Sequence, residues 1–116
     1  DTVNRTAKAD PWMEEHPPKI TMYQAGNGFE MDPDHEFVSV FREAYKESRG
    51  KEAAIVGSPS GCDSRLWRNI AGCPTIQFGP GNLAQCHAVD EWVDLEDYLQ
   101  SILIYANLIL KWGEQK

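Results

Sequence analysis

The chain is expected to fold as a layered α/β unit, and three observations predict it. Short alternating or continuous apolar runs take turns with segments of helical period. Residues suited to helix caps open the helical segments, and glycines close two of them. A Gly79-Pro80-Gly81 turn follows the last short apolar run, in the position where open α/β sheets carry sites beyond the carboxyl ends of their strands.

The elements follow in order. The first eighteen residues are polar and end in Pro17-Pro18, so they read as the tail of a preceding region. Within them Asp10-Pro11-Trp12 predicts a short capped helical turn, because proline is tolerated at the first helical position. Residues 19–25 alternate well enough for a strand, with Ile20, Met22 and Gln24 on one face, and Gly26-Asn27-Gly28 breaks it. Asp32-Pro33-Asp34 starts a helix in which Phe37, Val38, Phe41, Ala44 and Tyr45 recur at helical spacing up to Gly50. Residues 52–56 predict a short apolar strand ended by Gly57-Ser58-Pro59. A helix over 63–71 follows, stopped by Gly72, and then a second buried strand over 75–78. Asp94 caps a long last helix, with Asp97 as a weaker form of the capping box. Its expected apolar face is formed by residues such as Leu95, Leu99, Ile102, Leu103, Ala106 and Ile109.

This alternation implies a parallel component. The strands at 53–56 and 75–78 are too apolar for a sheet edge, and a buried parallel strand needs neighbours on both sides. Those neighbours are expected from polypeptide outside this sequence. The composition shift over 26–33 marks a hinge between two structural regions.

Composition narrows the function. A chain of 116 residues is one domain by default and could bury about two-thirds of its unfolded surface. A net charge of -7 argues against nucleic acid or an anionic membrane as partner, since neither finds a basic stripe here. The richest apolar run, 102–110, is interrupted by Tyr105 and Asn107 and is too short to span a bilayer. No signal peptide is visible. Cys62, Cys73 and Cys86 are odd in number and lack paired metal spacing, which fits reduced thiols and a cytoplasmic location.

The polar functional groups concentrate in 60–65 and 78–91. His87 stands after the Gly-Pro-Gly turn and before Asp90 and Glu91. A ring nitrogen can bind zinc while a nearby carboxylate accepts the other ring N–H, or either carboxylate can simply anchor the loop. The plainer alternative is a loop histidine without a role. One imidazole cannot hold a catalytic metal, which needs about three protein ligands. The chain has no HExxH, no CxxC and no second histidine near His87. Arg65 has the planar guanidinium suited to a substrate carboxylate; the alternative is a surface pair with Asp63, which would also cap the helix.

These residues form linked motifs. Ser60-Gly-Cys-Asp-Ser-Arg65, Gly72-Cys-Pro-Thr-Ile-Gln-Phe-Gly-Pro-Gly81 and His87-Ala-Val-Asp-Glu91 resemble the C-terminal part of the metallohydrolase family of acetylornithine deacetylase, succinyl-diaminopimelate desuccinylase and aminoacylase-1. Asp32-Pro-Asp-His35 and Asp10-Pro-Trp12 look like further landmarks of that family.

The resemblance implies a two-domain zinc enzyme. Residues 1–28 would end its lid or dimerisation domain, and 29–116 would form the C-terminal segment of its catalytic α/β domain. His87 matches a metal ligand, with Asp90 and Glu91 behind it. Arg65, Asp63 and Gly61 match the substrate-side loop, and Gly79, Gly81 and Asn82 line the pocket. The implied cofactor is a pair of zinc ions, with cobalt or manganese as substitutes. The implied substrate is an N-acyl amino acid or small peptide, hydrolysed at its amide bond in the manner of a deacetylase or desuccinylase. The implied assembly is a homodimer through the lid. The general base and most ligands of that family lie N-terminal to this stretch, so no catalytic residue is expected here and the chain alone should be inert. Two other readings stay open: a non-catalytic self-associating fragment, and a small acidic protein-interaction domain in which His87 is incidental.

Overall fold

The computed structural model describes residues 2–115. Five α-helices are joined by long extended connections: α1 (Thr2–Ala7), α2 (Pro11–Glu15), α3 (Glu36–Arg49), α4 (Ser64–Asn69) and α5 (Leu95–Glu114), with a 3₁₀ turn at Leu83–Gln85. The Cα radius of gyration is 20.4 Å, where a compact chain of this length has about 13 Å. The chain is therefore drawn out, and its packing is local.

The expected α/β architecture is corrected by this structure. Among the described residues there is no strand and no sheet. Segments 19–25, 52–56 and 75–78 carry no regular secondary structure, and none forms a ladder with another. The reason is physical: an apolar or alternating run reports that a segment would suit a pleated surface, and pairing needs a partner strand elsewhere. Without one, segment 52–56 lies largely open, with Val56 81% exposed, while 75–78 is partly covered.

The helix ends rest on local chemistry. Asp10 Oδ1 accepts from the Trp12 and Met13 N–H groups at 2.9 and 3.0 Å, with Pro11 at the first helical position. α3 ends at Gly50 in the left-handed conformation, which glycine adopts without the steric penalty a Cβ brings. Its N-cap is His35, whose Nδ1 accepts from the Phe37 N–H at 3.0 Å. Asp32 instead holds the preceding turn by accepting from the Asp34 N–H. Asp94 caps α5 by accepting from the Glu96 and Asp97 N–H groups. Asp97 does not close the box; its carboxylate turns to Arg49, 3.0 Å away. Asp63 occupies the N-cap position of α4 with no side-chain cap bond. The sequence reading did not include α1 or the 3₁₀ turn, both of which lack a long apolar period.

The core is the antiparallel pair α3–α5. Phe37 at the start of α3 meets Trp112 near the end of α5, with ring centroids 5.0 Å apart, while Arg49 at the end of α3 reaches Asp97 at the start of α5. Val38, Val40, Phe41 and Ala44 of α3 and Ile104 of α5 are buried. Polar residues complete the seam: Asn107 Nδ2 donates to Ser48 Oγ at 2.8 Å, and Lys111 Nζ lies 2.8 Å from Glu47.

The seam uses a different stripe of α5 from the one expected. Ser101 and Ile104 are its buried residues, whereas Leu95, Leu99, Ile102, Leu103 and Ile109 are all at least half exposed. α5 carries more apolar residues than its contact with α3 covers, and that seam is partly polar, so apolar periodicity pointed to another side. The segment 75–78 is held on this pair through its last residue. The Phe78 ring sits edge-on to Phe41, Tyr45 and Tyr105, and Tyr105 Oη donates to the Phe78 carbonyl at 2.7 Å.

Candidate functional site

The segments preceding Phe78 fold back along α4 and enclose a cleft of about 810 Å³. Its wall includes the connector 26–31, the segment 54–58, the loop from Ser60 to Asp63, and Arg65. Gly61, Asp63 and Arg65, three of the residues expected on the substrate side, therefore share one cavity. Arg65 is half-buried, and among the described residues its guanidinium has no hydrogen-bond or ion-pair partner, Asp63 included. A guanidinium carries five N–H donors in a rigid fork. Left unpaired in a cleft, it is suited to a carboxylate arriving from outside.

Two further groups in this cleft went unassigned in the sequence. Cys62 Sγ takes hydrogen bonds from the Ser64 N–H at 3.3 Å and from the Gln77 side-chain amide, and it lies 2.9 Å from the Ser64 hydroxyl. The Ser64 hydroxyl beside it, aided by the Ser64 N–H and Gln77, holds the Cys62 thiol below its ordinary range, against smaller opposing effects of desolvation and Asp63. Cys62 belongs to the polar cluster 60–65, but Gln77 reaches it only through the fold. A lowered thiol pKa means more thiolate at neutral pH. Ser64→Ala is accordingly expected to move the pH midpoint of iodoacetamide alkylation at Cys62 upward and to slow labelling at pH 7. Peptide mass spectrometry over a pH series measures it, and an unchanged midpoint would refute the role given to Ser64.

The remaining expected site residues sit on the following loop, outside the lining of this cleft. Gly79 leads into Gly81, whose φ of 93° favours glycine; a Cβ there would stand 3.3 Å from Val93 Cγ2. Asn82 Oδ1 accepts from the Ala84 N–H at 2.9 Å and so caps the 3₁₀ turn. His87 and Asp90 both adopt left-handed backbone, with φ of 64° and 60°, at a cost of about 1–2 kcal/mol each for a residue with a Cβ. The Glu91 carboxylate closes the loop by accepting from the His87 backbone N–H at 3.2 Å.

The three histidines differ in what their rings do. His16 Nδ1 lies 3.0 Å from the Trp12 carbonyl and its ring stacks on Trp12, while His35 Nδ1 caps α3. The His87 ring has no hydrogen-bond partner among the described residues, and the side chain is exposed. The donor chemistry thus suits one imidazole ligand on a closed, strained loop. It does not make a complete centre, since no group of three or more His, Cys, Asp or Glu side chains that could hold a metal occurs among the described residues.

Comparisons with known proteins point to one family. Residues 13–111 match the family model described as Peptidase family M20/M25/M40. An N-formyl-4-amino-5-aminomethyl-2-methylpyrimidine deformylase of Halalkalibacterium halodurans is 30% identical over 115 residues, covering 91% of this chain and 27% of the relative. The protein of the same name from Bacillus subtilis is 27% identical over 125 residues, covering the whole chain and 29% of the relative. A B. subtilis protein named putative dipeptidase YtjP is 29% identical over 76 residues, covering 66% of this chain and 16% of its own length. The chain thus spans between a quarter and a third of the deformylases it matches. No solved structure matches at a significant level. Among the described residues, no helix is long and apolar enough to cross a membrane.

Proposed function

The chain belongs to Peptidase family M20/M25/M40, a family of hydrolases, and from that premise we propose that it forms one wall of a metal-dependent amidohydrolase acting on a small N-acylated substrate. The substrate class is an N-acyl amino acid or small peptide, cleaved at the amide bond in the manner of a deacetylase or desuccinylase. The carrying observation is the half-buried Arg65, unpaired in a cleft large enough for such a molecule. In this reading Arg65 binds the substrate carboxylate, and Gly61 and Asp63 shape the wall beside it. His87 lends one ring nitrogen to the metal centre, which is zinc, or cobalt or manganese in its place. Glu91 fixes the loop backbone that presents His87. Gly79, Gly81 and Asn82 set the path of that loop, and Asp90 turns it.

A bound divalent metal supplies Lewis-acid polarisation of the scissile carbonyl. The residues of this chain bind and orient substrate; the proton-transferring base and the other ligands belong to polypeptide outside this sequence. Residues 1–28 are read as the end of a lid through which the protein dimerises, and 29–116 as part of the catalytic region. The apolar segment 52–56, which joins no sheet among the described residues, and the uncovered stripe of α5 support the reading of a partial unit.

A second reading, hydrolysis of an N-formylated aminopyrimidine, is favoured by the names of the two deformylase relatives. Purified full-length protein, assayed with zinc against N-acetyl and N-succinyl amino acids, dipeptides and an N-formyl aminopyrimidine, separates the two. The expected result is turnover of the N-acyl amino acids or dipeptides, abolished by chelation and restored by zinc. Turnover confined to the formyl aminopyrimidine would select the second reading, and hydrolysis unaffected by chelation would sink both.

A further inference from the structure

The connector that forms one wall of the cleft is gripped by α4 in three places. Asn69 Nδ2 donates to the Gly28 carbonyl at 3.1 Å, and Arg68 Nε donates to the Glu30 carbonyl at 3.4 Å. The third contact is Arg65 itself. Its guanidinium lies against Gly26, so that a Cβ on Gly26 would stand 3.1 Å from Cζ, 3.2 Å from Nε and 3.3 Å from Nη1. Positions 65, 68 and 69 share one face of a helix through their i, i+3 and i+4 spacing. The same face thus carries the unpaired cation and the two side chains that fix the backbone it rests on.

We infer that Gly26 and Asn69 are positioning residues for Arg65, setting where its fork meets a substrate carboxylate and so how strongly the protein prefers acidic substrates. The inference rests on the reading of Arg65 as the carboxylate anchor. Gly26 supplies a flat seat with no Cβ. The separations at Gly26 are tighter than ordinary van der Waals contact, so a methyl group there moves the guanidinium by a few tenths of an ångström. Gly26 lies outside the positive-φ region, so alanine brings no backbone strain and its effect falls on the arginine. Asn69 acts one step further back, because the Gly28 carbonyl it holds fixes the path of the connector. Bidentate recognition depends on such placement, and displacements near 1 Å at reacting groups cost about a hundredfold in rate.

The test uses full-length protein and matched ligands, N-acetylglycine and N-acetylglycinamide, with binding measured by calorimetry and, for hydrolysed substrates, KM and kcat measured separately. Arg65→Ala is expected to abolish the preference for the carboxylate. Gly26→Ala and Asn69→Ala are each expected to lower the carboxylate-to-amide affinity ratio about fivefold, the net worth of about one hydrogen bond of the fork, through KM and not kcat. A purely structural defect would weaken both ligands alike and leave that ratio unchanged, which would overturn the positioning role. Loss of preference in Arg65→Ala, with the ratio intact in both other variants, would leave the anchor standing and refute the inference. An Arg65→Ala protein that keeps its preference would instead refute the anchor. Should Gly26→Ala fail to fold, Asn69→Ala alone decides.

Discussion

His87→Ala in the full-length protein is expected to lose about one equivalent of bound metal and at least about a hundredfold in turnover, as removing even an outer partner of a metal ligand costs 10–100-fold. The expectation rests on the division of labour among the three imidazoles. His16 and His35 commit a ring nitrogen to helix ends, whereas the His87 ring has no partner among the described residues. Its loop is held by other atoms: the Glu91 carboxylate on the His87 N–H, the Asn82 cap, and two left-handed residues. His16→Ala should therefore fray α2 and leave metal content unchanged. Glu91→Ala should lower metal affinity about tenfold by releasing the loop. Elemental analysis of dialysed protein and initial rates check all three. Full metal occupancy and full turnover in His87→Ala would remove this residue from the site.

Ile104→Ala is expected to destabilise the chain by about 2–4 kcal/mol, the usual range for truncating a well-buried large aliphatic side chain. Ile104 is 2% exposed and is the largest fully buried side chain of the α3–α5 seam. Few other apolar groups among the described residues share the load, and domains are stable by only about 5–15 kcal/mol, so the urea midpoint should fall by a large fraction of its value. Ile102→Ala, on the open stripe and 52% exposed, should cost under about 1 kcal/mol. Urea unfolding followed by circular dichroism compares the two. Equal losses would mean that α5 does not face α3 through Ile104.

How much of this was legible depends on how far each signal reaches along the chain. Asp10, Asp94 and Gly50 act on backbone groups within a few residues, so their helix ends could be read directly. His35 as an N-cap could not, because imidazole is a rare cap and Asp32-Pro33-Asp34 offered a commoner one. The segments expected as strands form none among the described residues, because pairing is a property of two segments and a local apolar pattern reports on only one of them. The inward stripe of α5 was misassigned because its seam is partly polar: Ser101, Asn107 and Lys111 face α3 only because that helix and its own turn satisfy them. At the site, Gly61, Asp63 and Arg65 are neighbours in the sequence, so their sharing one cleft follows from adjacency. The part of Gln77 at Cys62, and the grip of Asn69 and Arg68 on the connector, join residues 15, 41 and 38 positions apart and left no local trace.

The fastening of Phe78 makes the helix pair a mechanical reference for the loop beyond it. Gly79-Pro80-Gly81 begins immediately after Phe78, whose ring is wedged between α3 and α5 and whose carbonyl is tied to Tyr105. A slip of one residue between the helices would shift that foothold by about 1.5 Å along the axis, on the scale at which placement decides rates. Mutational sensitivity of the His87 loop should thus extend to positions with no ligand in reach, and Tyr105, Phe41 and Tyr45 would be met in a screen for lost activity before many residues nearer the cleft.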